Sequence, residues 1–138
     1  MIDMSGVLVE LGGEVKAYFA HPMRTYNTSA ETEVIEVLRQ KGWEVVNPCD
    51  YCDEAMKLTA QAGGGWLSCD VCRKKVMEPL FYRLLKGCDV FVRWNPLGTC
   101  GVECEMVEAR KLGKDIYEVN VDAGNVCLKP LVSSCAVF

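Results

Sequence analysis

Short apolar runs alternate with segments of helical period along this chain, and that alternation limits the possible folds more than any single motif does. Residues Val15–Ala20 place Val15, Ala17, Tyr18 and Phe19 in a β-prone stretch that ends at His21-Pro22. Thr28 and Glu31 have the spacing of a capping box, in which each side chain satisfies a backbone donor left free at a helix start. Ala30, Val34, Val37 and Leu38 then share one helical face, Arg39 and Lys41 suit the negative end of the helix, and Gly42 predicts the stop. Trp43–Val46 reads as a second strand closed by Pro48, residues 89–94 as a third and residues 115–119 as a fourth. Before the third strand, Leu80, Phe81, Leu84 and Leu85 form a helical stripe whose first turn should hold Pro79, where a missing donor costs nothing. A further helix is expected from about residue 102 to 112, ended by Gly113.

Strands and helices in this order predict an α/β fold with a doubly wound, mostly parallel sheet, a three-layer sandwich of the Rossmann or flavodoxin-like kind. A run at residues 7–11 could pair with the first strand across Gly12-Gly13, and the tail from residue 120 to 138 is apolar enough to dock without a decisive pattern. With 138 residues, half of them apolar, the chain can close one core, so residues 1–138 are expected to form a single domain. Asp3 and Glu10 stand where a signal peptide would be basic and then apolar, and no run reaches the roughly 18 apolar residues of a membrane span. A cytoplasmic protein without membrane contact is the expectation. The net charge of −4 argues against nucleic acid as a partner, with Arg73, Lys74 and Lys75 the one tight basic cluster.

Nine cysteines cannot all pair internally, so at least one is free or bound to metal. Cys49-x-x-Cys52 and Cys69-x-x-Cys72, sixteen residues apart, have the spacing of a four-thiolate zinc site, and Gly63-Gly64-Gly65 would let the pairs meet. With every position taken by sulfur, such an ion is structural. Lys57, Arg73, Lys74 and Lys75 would offset its charge. The alternative is disulfides, as in the disulfide-rich cytosol of a hyperthermophile. Either way residues 48–73 read as a small Cys-rich insertion. Cys88, Cys100, Cys104, Cys127 and Cys135 read as buried small hydrophobes, although a Cys100–Cys104 disulfide would stiffen the segment beside it.

In doubly wound sheets ligands bind beyond the carboxyl ends of the strands, which here are residues 18–23 and 95–105. Gly98-Thr99-Cys100-Gly101 joins a strand to a helix whose first amides would face an anionic or carbonyl-bearing ligand. Glu103 and Glu105 lie in the first turn and a half, where the helix field favours carboxylates and should keep either ionised at neutral pH. Glu105 shares a side with Val102, Ala109 and Leu112, so it is the one expected to face the sheet. His21, the lone histidine, could assist proton transfer or simply hydrogen-bond at the surface.

Tyr18-Phe19-Ala20 after a buried strand, Gly98-Thr99 and Gly101 before Glu105, and Ala109 followed by Leu112-Gly113-Lys114 resemble the pattern of the nucleoside 2-deoxyribosyltransferase-like family over residues 16–119. The resemblance implies N-glycosidic bond cleavage or transfer on a nucleoside or nucleotide, as a deoxyribosyltransferase or an N-glycoside hydrolase. Glu105 would then be the nucleophile on the anomeric carbon and Tyr18 its positioning partner, with His21, Pro22, Met23, Asn95, Gly98, Thr99 and Gly101 around the substrate. It implies no organic cofactor, and pockets built across subunit contacts in relatives point to a homo-oligomer. Phe81 stands where the family usually carries the acid that protonates the leaving base, and Glu78 lies one turn earlier. A non-catalytic nucleotide-binding module, stabilised by structural zinc or disulfides, is the alternative.

Overall fold

The computed structural model describes residues 14–131, and the expected strand at 7–11, Cys135 and the end of the tail lie outside them. Strand β1 (Val15–Ala20) is followed by helix α1 (Ser29–Gln40), strand β2 (Trp43–Val46), helix α2 (Cys52–Gln61) and a short turn of helix, α3 (Cys69–Cys72). From α3 the backbone continues through a π-helical stretch, Arg73–Phe81, into α4 (Tyr82–Lys86). Strand β3 (Val90–Arg93), helix α5 (Cys100–Lys111), strand β4 (Asp115–Asp122) and strand β5 (Asn125–Leu131) complete the order. The fold is mixed α/β, with a five-stranded sheet of order β2-β1-β3-β4-β5. The first four strands are parallel and β5 runs antiparallel along β4.

Successive residues of β1 point to opposite faces, and each face is covered by apolar surface from the helices. Ala17 and Phe19 pack with Val34 and Leu38 of α1 and with Val92 and Trp94, joined at the rim by Val126 and Leu128 of β5. Tyr18 and Ala20 pack on the other face with Leu85 of α4, Phe91, and Val102 and Ala109 of α5. Asp89 fixes the start of the parallel register, because its carboxylate accepts from the Lys16 amide (2.9 Å) while its own amide donates to the Lys16 carbonyl (2.8 Å).

Thr28 caps α1 as its spacing predicts, accepting from the Glu31 amide at 3.2 Å. The return half of the box differs: the Glu31 carboxylate accepts from the Asn27 amide (2.9 Å) and turns inward to His21. Gly42, at φ +87°, ends this helix, and a side chain there would be strained. Pro79 does not open a helix. Ser68 caps the run eleven residues earlier, by accepting from the Val71 amide, so Pro79 falls inside it and the widened π-helical turn surrounds the missing donor. The tail beyond Val119 extends β4 and adds β5, whose Pro130 is tolerated because the strand lies at the sheet edge. Among the described residues no helix is long and apolar enough to cross a membrane.

Candidate functional site

Tyr18 lies in mid-strand, fully buried, with its ring stacked on Phe91. That packing aims the hydroxyl across the sheet at α5, where it donates a hydrogen bond to the Glu105 carboxylate. Glu105 is 6% exposed and shares its helix face with Val102 and Ala109, so the helical spacing that separates it from Glu103 holds. The expectation that the helix field keeps it ionised does not hold. Burial pushes the Glu105 carboxyl up to about 8, and the Tyr18 hydrogen bond pulls it down only in part. Tyr18 is itself held well above the ordinary tyrosine range by burial, and then by the neighbouring Glu105. The pair is therefore a neutral acid and a neutral phenol near pH 7.

Three residues after Tyr18, just past the end of β1 and on the opposite face, a second buried polar group is centred on His21. This histidine is 4% exposed and not a surface group: its ring stacks on Phe19 at 3.9 Å, between that residue and the loop that follows β1. Its Nδ1 meets the Phe19 carbonyl oxygen at 2.8 Å and its Nε2 meets the Glu31 carboxylate at 2.7 Å. A carbonyl can only accept, so Nδ1 carries a proton, and Nε2 and the carboxylate must share another. Burial lowers the imidazole pKa while the Glu31 and Phe19 hydrogen bonds raise it, leaving it below the ordinary value. Asn47 joins Glu31 at 3.5 Å and caps the next turn by accepting from the Cys49 amide. Tyr26 packs against the His21 ring at 5.0 Å, and its hydroxyl pKa is raised by burial and then by the charge of Glu105.

The loop into α5 is organised from within. Asn95 accepts from the Thr99 amide (2.9 Å) and hydroxyl (3.2 Å), and donates to the Thr99 carbonyl and to Glu103 (2.7 Å). Glu103 also accepts from Arg93 (2.6 Å), whose other nitrogen reaches Glu118 of β4 (2.6 Å). Burial raises the Glu103 carboxyl, but the Asn95 and Arg93 hydrogen bonds outweigh it and hold the group below the usual carboxylate range. Of the expected pocket residues, Pro22 is buried beneath the loop, Met23 is 74% exposed, and Gly98 and Gly101 are exposed, Gly98 at φ +66°. Sequence reasoning missed the roles of Glu31, Asn47 and Arg93. The Thr28–Glu31 spacing was the one available signal, and it fitted capping well enough to hide the second role.

Phe81 packs at the edge of the apolar cluster formed by Leu85, Phe91 and Val102, so no carboxyl stands there. Glu78 is half exposed beside Arg73 and lines a surface hollow of about 350 Å³ with Tyr82, Arg83, Lys86, Glu108 and Leu112. Neither Tyr18 nor Glu105 lines that hollow.

The cysteine pairs each occupy one turn, Cys49 and Cys52 leading into α2 and Cys69 and Cys72 forming α3. Among the described residues no three metal-binding side chains are grouped to hold an ion, and the eight cysteines there are free thiols. Burial pushes the Cys49 and Cys72 thiols up, helped by nearby charges that include Cys52 and Cys69 respectively. Of the cysteines expected in the core, Cys88 is buried, but Cys100 and Cys127 are exposed and Cys104 is half-buried. Cys100 falls in the open first turn of α5, and Cys127 on the outer side of an edge strand. Compared with known proteins, the sequence matches no protein-family model and no curated protein.

Proposed function

We propose that this protein cleaves or transfers the N-glycosidic bond of a nucleoside or nucleotide, with Glu105 as nucleophile and Tyr18 as the group that orients it. The observation that carries this reading is the buried Tyr18–Glu105 hydrogen bond between β1 and α5. It joins the two residues that the resemblance assigns to the same site. The strand order and the helices on both sheet faces are read here as a flavodoxin-like three-layer sandwich, in which ligands sit beyond the strand ends. In this chemistry the Glu105 carboxylate attacks the anomeric carbon while the bond to the base nitrogen breaks. The base leaves with the bonding pair and takes up a proton, and water or a second base then resolves the glycosyl ester.

Only the ionised carboxyl can attack, so base release should rise with pH and level off above about 8. Removing the Tyr18 hydroxyl takes away a bond that favours ionisation, so Tyr18→Phe should move that rise to higher pH. Chromatography of a nucleoside and nucleotide panel tests the proposal. Glu105→Ala should retain the fold and lose about 1,000-fold or more in base release; undiminished release would remove Glu105 from the chemistry. A second reading, nucleotide binding without turnover, is favoured by Phe81 lying in an apolar cluster where the resemblance has an acid. Saturable nucleotide binding by calorimetry with no base released would establish it.

A further inference from the structure

The start of α5 carries two thiols one turn apart: the Cys100 and Cys104 sulfurs are 3.8 Å apart, Cys100 exposed and Cys104 half-buried. We propose that Cys100 and Cys104 are a thiol-oxidation site, closed to a disulfide by a low-molecular-weight disulfide such as oxidised glutathione, and that closure opens the first turn of the helix carrying Glu105.

The reaction balances between the two thiols and the oxidant. One cysteine gives up its proton and attacks the small disulfide, forming a mixed disulfide and expelling one thiolate. The other cysteine loses its proton, attacks the protein sulfur of that mixed disulfide and expels the second thiolate. The protein loses two hydrogens and gains one S–S bond, and the small disulfide is reduced to two thiols.

Exposure of Cys100 gives the oxidant access, and the 3.8 Å separation places the second sulfur within reach of the mixed disulfide. The bond would loosen the segment and not stiffen it as the sequence alone suggests: residues four apart on an α-helix hold their Cβ atoms about 5–6 Å apart and a disulfide needs about 3.5–4.5 Å, so the helix must yield for closure. Glu103 is tied to Arg93 and Asn95, but the backbone at the start of this turn is weakly held. Thr99 spends its hydroxyl on Asn95 and gives the helix no side-chain cap, and the first helical bond, from the Glu103 amide to the Thr99 carbonyl, is long at 3.5 Å. Gly101 lies between the two cysteines with open space where a side chain would be. Glu105 follows Cys104 directly, so a change of pitch there displaces its carboxyl from Tyr18.

The full chain is equilibrated with reduced and oxidised glutathione at fixed ratios, then trapped and mapped by mass spectrometry. The expected result is a Cys100–Cys104 bond that forms in the parent and in Cys72→Ser, is absent in Cys100→Ser, and is reversed by dithiothreitol. Hydrogen exchange at residues 100–105 should accelerate about tenfold in the oxidised form. Cys100 and Cys104 remaining thiols while exposed Cys127 is glutathionylated would overturn the site. Pairing of Cys100 with Cys72 would do the same, and a Cys100–Cys104 bond with unchanged exchange would overturn its coupling to the helix.

Discussion

Replacing Glu105 by glutamine should stabilise this protein, by an amount that depends on pH. The folded state holds the Glu105 carboxyl protonated up to about pH 8, whereas a glutamate in the unfolded chain ionises near 4.5. Between those values the folded state binds the extra proton, so stability falls as pH rises through that window and is level on either side of it. At neutral pH the unfolded carboxyl lies about 2.5 units above its pKa, and at about 1.4 kcal/mol per unit its ionisation favours unfolding by about 3 kcal/mol. A glutamine does not titrate, and its carbonyl can still accept from Tyr18. Its buried amide hydrogens would take back about 1 kcal/mol, leaving Glu105→Gln more stable than the parent by about 2 kcal/mol at neutral pH. Urea unfolding followed by tryptophan fluorescence, repeated across the window, reads the difference directly. The gap between variant and parent should widen with rising pH and stop widening above about 8. A gap that stays constant would mean that the Glu105 carboxyl ionises like an exposed one, and the argument from burial would fail.

Three other outcomes follow from residues described above. His21→Ala leaves Glu31 buried without its ring partner and should cost about 3 kcal/mol in urea unfolding; a loss under about 1 kcal/mol would mean the contact is energetically idle. Thr28→Ala removes the acceptor for the Glu31 amide and should cost about 1 kcal/mol, measured the same way, with no change in the Tyr18–Glu105 pair. Metal analysis of protein purified without chelator tests the four-thiolate spacing of Cys49, Cys52, Cys69 and Cys72: one zinc per chain, lost in Cys49→Ser, would establish the site, and none would leave the free thiols described above.

The sheet and its helices were legible because their signals are local. A short apolar run at Val15–Ala20 marks a strand buried on both faces, a period of 3.6 through Val34 and Leu38 names one helix face, and the structure packs both in the core. The same periodicity separated Glu105 from Glu103, which differ by two residues and so by about 200° around the helix. What could not be read depended on distant partners. A proline suits a helix start, but Ser68 begins this helix well before Pro79. β5 has a proline and a lysine in a half-exposed edge strand, so neither period stands out. The charge state of Glu105 depends on how fully Tyr18 and the sheet cover it, a quantity that no spacing encodes.

Tyr18 lies on β1 and His21 directly after its end, and the two look to opposite sides of the strand, each committed to a different helix. A single inserted residue in β1 between them would turn one of the two side chains away from its partner, and no adjustment elsewhere would restore both. The connection from residue 52 to 68 has no such double obligation, and its tip is three consecutive glycines at positive φ, so it is where lengthening or tagging of the chain should be tolerated.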